Sequence, residues 1–240
     1  EIGSGLVGSE MCIRDRAVGA TSTLSGLIIG FLLGLSNGFA IITAQKFGAK
    51  NIADMKKSFA MSLVIGTGIS ILFTIAGLLF LKSILHFLNV PKHLVPVAKG
   101  YIAIIIAGLL ATFLYDACAA TLRAIGDAVT PLIILAISVA LNIVGDLFFV
   151  VVLKTGVKGA AIATVLAQII AFVICWIYMI KRYELLRLSG DDFKEPQPQM
   201  IQSMLSAGLS MGFMSSLINI GSLTLQLSLI HISEPTRPEP

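Results

Sequence analysis

Gly159–Ile180 reads GAAIATVLAQIIAFVICWIYMI, an unbroken stretch without one charged side chain. A helix rises 1.5 Å per residue, so about 20 apolar residues cross the ~30 Å hydrocarbon core of a bilayer. This stretch is long enough to do so, and it has companions. Ala17–Gln45, Ser58–Leu81 and Ala128–Gly145 are equally free of charge. Over the 240 residues, 56% are hydrophobic and 12% charged, against ~25% charged in soluble domains. Mean hydropathy is +0.94. The fold class that follows is all-α, a polytopic transmembrane helical bundle. A transmembrane β-barrel would show short alternating segments instead, and none is present in the sequence.

Working outward, six hydrophobic segments are expected, at about Gly19–Gln45, Ser58–Leu81, Leu94–Leu122, Pro131–Leu153, Gly159–Ile180 and Met200–Gln226. Lys181–Gln199, KRYELLRLSGDDFKEPQPQ, is the longest polar stretch, and its Pro-containing end reads as a linker. Alternate loops face the same side. One set carries Lys46, Lys50, Lys56, Lys57, Arg123, Lys181, Arg182, Arg187 and Lys194, and the other Lys82, Lys92, Lys99, Lys154 and Lys158. The positive-inside rule puts the richer set in the cytoplasm. The net charge of +4 comes from these loops and gives no reason to expect nucleic-acid binding.

The two ends break sharply in composition. GSEMCIRDR (Gly8–Arg16) and LSLIHISEPTRPEP (Leu227–Pro240) look like translated adapter read-through, so 1–16 and 227–240 are expected to be foreign, and Cys12 and His231 go with them. Cys118 and Cys175 lie in apolar helices without a CxxC spacing and read as small buried hydrophobes. His86 and His93 flank the loop at Pro91 and read as solvated loop residues. No phosphate loop, HExxH or Gly-x-Ser-x-Gly occurs. Neither an enzyme, nor a cofactor, nor a metal site beyond a Na⁺ seat is expected.

Asp146 is the residue that asks for a function. It lies eight residues before Lys154, about 12 Å into the hydrocarbon's outer half. An acid at the centre of a spanning helix costs roughly 2.5–3.5 kcal/mol, so it should face protein or a wet cavity. Ser138, Asn142 and Asp146 recur at i, i+4, i+8 and form one polar stripe, as Ala160, Thr164 and Gln168 do on the next helix. Small Ala160, Ala161 and Ala163 let the two backbones approach. An oxygen-rich cluster of Asp146, Asn142 and Thr164 is therefore expected. Such a carboxyl can take a proton, and such oxygens can hold a hard cation such as Na⁺. The bland alternative is helix–helix glue, with Asp146 bonded to Asn142 and Thr164.

Asp116 is a second intramembrane acid, seven residues before Arg123, read first as an interfacial acid offset by that arginine and second as a coupling group. Gln45 and Asn51 read as helix-end caps, and Asp127 as a turn or N-cap before Pro131. Ser36-Asn37-Gly38 either lines a cavity or loosens the first helix. Met204, Met211 and Met214 are expected in apolar packing.

Three strings carry a resemblance: QKFGAKN (Gln45–Asn51), TLRAIGDAVTPL (Thr121–Leu132) and GVKGAAIATVLAQ (Gly156–Gln168). In this order and at these intervals they resemble the multidrug and toxic compound extrusion (MATE) family, and the middle one is similar to its LRGxGDxxTP connection. The resemblance covers about Ala17–Gln226 and implies helices two to seven of a twelve-helix, two-bundle transporter. On that reading residues 17–182 are N-terminal bundle helices two to six, 183–199 the cytoplasmic linker and 200–226 the first helix of the C-terminal bundle. The function implied is secondary active export of organic, often cationic, compounds in exchange for H⁺ or Na⁺ by alternating access. The protein would be a multi-pass monomer in the cell (inner) membrane, with the bilayer and small organic substrates as its partners.

In the DinF-like branch of the family, helix five carries Asn-x-x-x-Asp and helix six a threonine that completes an ion site. Asn142, Asp146 and Thr164 match these positions, with the Ala160 carbonyl as a further ligand and Ser138, Gln168 and Asp116 as secondary candidates. The family's helix-one aspartate and most of its second bundle have no counterpart, so the implied function is that of an intact parent. Two alternatives stay open. One is a lipid-linked oligosaccharide flippase of the same superfamily, disfavoured because no Lys or Arg lies well inside a helix. The other, remote, is an intramembrane aspartyl protease using Asp116 and Asp146, which would need both acids to share a proton.

Overall fold

The computed structural model describes residues 26–87, 95–193 and 197–233, with side chains of the last helix described to residue 222. The expected foreign end 1–16, Cys12 and His93 lie outside these residues. Among the described residues the regular structure is entirely helical: α1 (Gly26–Gly48), α2 (Ile52–Phe87), α3 (Val95–Ala107), α4 (Leu109–Ala124), α5 (Val129–Asp146), α6 (Val157–Arg182) and α7 (Pro198–Ser233). Helices α1, α2, α6, α7 and α5 with its continuation to Val152 each contain a stretch long and apolar enough to cross a membrane. The backbone of α7 continues past residue 226 to Ser233 without a break.

The third hydrophobic segment forms two helices. Ala98–Ala107 and Leu109–Ala124 meet at a 42° bend at Gly108. The bend meets a neighbouring helix: a Cβ on Gly108 would collide with the Val165 side chain of α6. Glycine lets α3 and α4 bend around α6, and as a pair they are long and apolar enough to cross a membrane. The fourth segment also departs from a plain helix. After Asp146 the chain widens into a π-type turn, Leu147–Val152. Thr155 then closes the loop back, its hydroxyl donating to the Phe149 carbonyl at 2.6 Å.

The outward faces are those of a lipid-immersed protein. Leu72, Leu79 and Phe80 on α2 and Val129, Leu132 and Val144 on α5 are each more than half exposed. On α5 only Pro131, Ile134 and Ser138 are buried. Contiguous apolar surface of this extent is not sustained in water. Inside, one apolar cluster joins Leu32, Leu35 and Phe39 of α1 to Ile102, Ile106 and Phe113 of the bent pair and Met204 of α7. A second gathers Met55 and Phe59 of α2, Cys118 and Leu122 of α4 and Cys175 and Met179 of α6 around Leu186. Leu186 belongs to a short 3₁₀ turn, Glu184–Leu186, so the linker after α6 packs onto the bundle. The backbones of α1 and α7 come close together, since a Cβ on Gly34 or Gly38 would strike the Met211 or Ala207 carbonyl.

Local sequence sets the ends of these helices. Asn51 caps α2, its Oδ1 accepting from the Asp54 amide at 3.1 Å while its Nδ2 donates to Asp54 Oδ2 at 3.0 Å. At the end of α4, Gly126 takes φ +97°. The Gly126 amide bonds Arg123 O and the Asp127 amide bonds Leu122 O, at 3.1 and 2.9 Å. This is a Schellman closure, which needs a residue tolerant of positive φ. The loops of the basic set lie together at one end, as shown by Gln197 donating to Asp54 and Tyr183 to Asp127.

Candidate functional site

The polar stripes of α5 and α6 face each other. Gly145 sets the distance, since a Cβ there would stand 2.9 Å from that of Ala163. The missing side chain on α5 and the small one on α6 let the backbones meet. Three levels of contact follow. Ser138 donates to the Ala167 carbonyl at 3.3 Å. One turn outward, Asn142 Nδ2 donates to Thr164 Oγ1 at 3.1 Å, and the Thr164 hydroxyl donates to the Ala160 carbonyl at 3.0 Å. Another turn outward stands Asp146, half-buried, at the junction with the π-type turn. Such turns concentrate at functional sites.

Asp146 is not bonded to Asn142 or Thr164. Its Oδ1 is buried and has no hydrogen-bond partner, and the same is true of Gln168 Oε1. A buried acceptor without a donor costs about 1–3 kcal/mol. The hydroxyl donors of this interface are engaged with carbonyls, and two side-chain oxygens are left over. A polar seam with surplus acceptors suits a proton or a cation, not an anion. Both the expected cluster and the glue reading placed Asp146 against Asn142 and Thr164, and the bonds at that level run from Asn142 to Thr164 to the Ala160 carbonyl without it.

Asp116 lies elsewhere. Gly108 abuts Val165, and Cys118 packs with Cys175 in one cluster, so α4 and α6 run parallel in constant register. Asp116 is eight residues past Gly108, which places it roughly 13 Å from the level of Thr164 and roughly 19 Å from that of Asp146. An aspartyl dyad sharing one proton is excluded by that separation. Asp116 and Arg123 do not form an ion pair within 4 Å, and Arg123 acts on the Asp116 carboxyl only through space. An ion pair does form nearby, between Lys46 and Asp54 at 3.1 Å. Arg123 instead reaches α1, donating to Asn37 Oδ1 at 3.1 Å. The Ser36-Asn37-Gly38 interruption was the sequence signal for this contact, but nothing in the sequence named its partner.

Two further features escaped the sequence. Gly145 is one. The other is the shell around Asp127. Its Oδ1 accepts from the Thr130 amide at 3.1 Å, and its Oδ2 accepts from Tyr183 at 3.0 Å and Tyr178 at 3.5 Å. Burial alone would push this carboxyl up, but the bonds from Thr130, Tyr183 and Tyr178 outweigh it and hold the group below the usual carboxylate range. The Tyr183 phenol is pushed up, by burial and by its bond to Asp127. Cys118 and Cys175 are buried free thiols. No group of three or more His, Cys, Asp or Glu side chains suited to a metal ion occurs among the described residues.

Comparison with known proteins fits this architecture. The MatE family model matches residues 16–148. Over 169 residues the chain is 37% identical to the "Probable multidrug resistance protein YpnP" of Bacillus subtilis (strain 168), covering 69% of this chain and 38% of that protein. It is 27% identical to the "DNA damage-inducible protein F" of Escherichia coli (strain K12), over 79% of this chain and 41% of that one. A solved multidrug resistance MATE family transporter of the MOP superfamily, in an inward-facing conformation, superposes with a TM-score of 0.80 at 25% identity, over 85% of this chain and 47% of the other. The chain thus spans about two-fifths of the length of these curated relatives. Homologues of this kind are transporters and not enzymes. With its apolar spans, its lipid-facing surface and more than half of its length matched by the family model, this multi-pass membrane protein belongs to the MatE family.

Proposed function

We propose that the complete protein is a secondary active exporter. It moves organic, often cationic, compounds out through the cell (inner) membrane in exchange for H⁺ or Na⁺, by alternating access and as a monomer. Asp146 is its ion-coupling group, and Asn142, Thr164 and the Ala160 carbonyl complete the seat. The observation that carries this reading is the buried, unpartnered Asp146 Oδ1 beside the Asn142–Thr164–Ala160 chain of hydrogen bonds. The relatives named for multidrug resistance support the export of organic compounds.

Mechanistically, a proton on Asp146, or a cation between its carboxylate and the neighbouring oxygens, supplies the missing partner and draws α5 and α6 together. Loss of that partner leaves a bare carboxylate in a dry interface, which favours a conformation that opens it to water. The ion therefore biases the inward–outward equilibrium by its different affinity for the two states. Substrate and ion exclude each other through that equilibrium.

The test uses Asp146→Asn in the complete gene product, reconstituted in vesicles, with pH and Na⁺ gradients imposed separately. Gradient-driven efflux is expected to fall to the uncoupled background under whichever gradient drives the wild type. Undiminished efflux would remove Asp146 from the coupling step.

A further inference from the structure

The seam between α5 and α6 does not end at Asp146. Eight residues back along α5 stands Ser138, and beside it on α6 the side chain of Gln168, the second buried oxygen without a donor. Ser138 fixes that level by its bond to the neighbouring Ala167 carbonyl. The two unpartnered acceptors are thus separated by roughly 12 Å along the membrane normal. Asn142 and Thr164 bridge the gap, with their hydrogen bonds pointing outward from Asn142 to Thr164 to the Ala160 carbonyl.

We infer that Gln168 Oε1 is a second seat for the coupling cation, the one it occupies on its way from Asp146 toward the cytoplasm. This rests on the coupling role proposed for Asp146 and extends it inward. Three features argue for it. The Ser138 hydroxyl is already engaged with a carbonyl and leaves its lone pairs to the seam. Gln168 presents an amide oxygen to the seam, an acceptor of the kind that takes a hard cation. Its depth, ten residues from Lys158 and thirteen from Lys181, is near the middle of the span. The ionisable groups on the neighbouring elements are Tyr115, Asp116, Cys118 and Arg123 on α4, Lys99 and Tyr101 on α3 and Asp127 at the α4–α5 turn. None of them is hydrogen-bonded to Gln168.

The chemistry recognised is a small hard cation, hydronium or Na⁺, and separate pH and Na⁺ gradients distinguish the two. The complete gene product is reconstituted as wild type, Gln168→Leu, Gln168→Glu and Asp146→Asn, with ethidium as the transported probe. Gln168→Leu is expected to lower maximal turnover about tenfold while the cation concentration giving half-maximal efflux moves by less than about twofold. Gln168→Glu, which restores an oxygen of the same reach, is expected to recover most of that turnover. A merely packed side chain would not be rescued by a carboxylate. Wild-type turnover in Gln168→Leu, or equal impairment in the Leu and Glu variants, overturns the second seat. Gln168→Met serves the same purpose if the leucine variant does not accumulate. Coupling retained in Asp146→Asn, with Gln168→Leu slow, would count against the outer seat alone.

Discussion

Two Gly-Asp dipeptides flank helix α5, Gly126-Asp127 before it and Gly145-Asp146 at its end. Sequence makes them look alike, but the fold treats them in opposite ways. At the aqueous end, Asp127 accepts hydrogen bonds on both oxygens, from a backbone amide and two phenols. Inside the span, Asp146 keeps one oxygen buried and unpartnered. A carboxylate whose lone pairs are filled by the protein is part of the architecture. One left short of donors in a low-dielectric place is either a liability or a binding group. The difference lies in what faces each acid, which in one case is a loop with tyrosines and in the other a helix whose hydroxyl already donates elsewhere.

The strongest way to break this comparison is to neutralise both acids in turn. Asp146→Asn should abolish gradient-driven export and leave the folded protein intact, since an amide needs less solvation than a carboxylate. Asp127→Asn should do the reverse, keeping export and lowering the unfolding midpoint in detergent. Equal loss of export in the two variants would erase the distinction.

Next in size is the approach of α5 to α6. Gly145→Leu places a branched side chain where even a Cβ stands 2.9 Å from that of Ala163. Overpacking of this kind costs about 1–3 kcal/mol. It should also part Asn142 from Thr164, so the variant is expected to lose thermal stability and ion coupling together. Gly126→Ala offers the contrast. It strains a positive-φ cap and leaves the seam untouched, so it is expected to cost stability alone.

Much of this was legible in the sequence because the bilayer makes strict demands. The uncharged runs gave the spans, and spacing at i, i+4, i+8 put Ser138, Asn142 and Asp146 on one face. Asn51 and Asp127 announced themselves as end-of-helix residues. The parts that stayed hidden depend on contacts between segments. Gly108 sits at the bend of the third segment, where Val165 of α6 stands against it. Arg123, four positions from a turn and seven from Asp116, found Asn37 on a helix 86 residues away. No local pattern encodes a partner of that kind. The π-type turn after Asp146 was equally invisible, because Leu147–Val152 is apolar throughout and reads as ordinary helix.

A pH titration sharpens the Asp127 side of the comparison. Its carboxyl is held below the usual range in the folded protein. The stability this contributes is therefore present above the unfolded value, near 3.8, and is lost as pH falls through the lower folded value. Asp127→Ala should cost about 1–2 kcal/mol at neutral pH, the loss of a charged hydrogen-bond acceptor. The gap to the wild type should stay constant from neutral pH down to about 4 and close only below that. A gap that closes between pH 7 and 5 would mean that the acid is not held by its neighbours.

The smallest effect should come from Tyr183→Phe, and it tests which donor matters. Tyr183 lies just beyond α6 and gives Asp127 the shorter of its two phenolic bonds, 3.0 Å against 3.5 Å from Tyr178. Removing that hydroxyl leaves the Thr130 amide in place, and the freed carboxylate oxygen is close enough to water to be solvated. The expected cost is therefore only about 0.5–1 kcal/mol, measured by thermal unfolding in detergent. In a double-mutant cycle with Asp127→Ala, nearly all of it should vanish, because the phenol has no other partner there. A Tyr183→Phe cost as large as that of Asp127→Ala would make the tyrosine, and so the start of the linker, the true anchor of this corner. Asp127 would then be its dependent, and the contrast with Asp146 would have to be redrawn around the phenol.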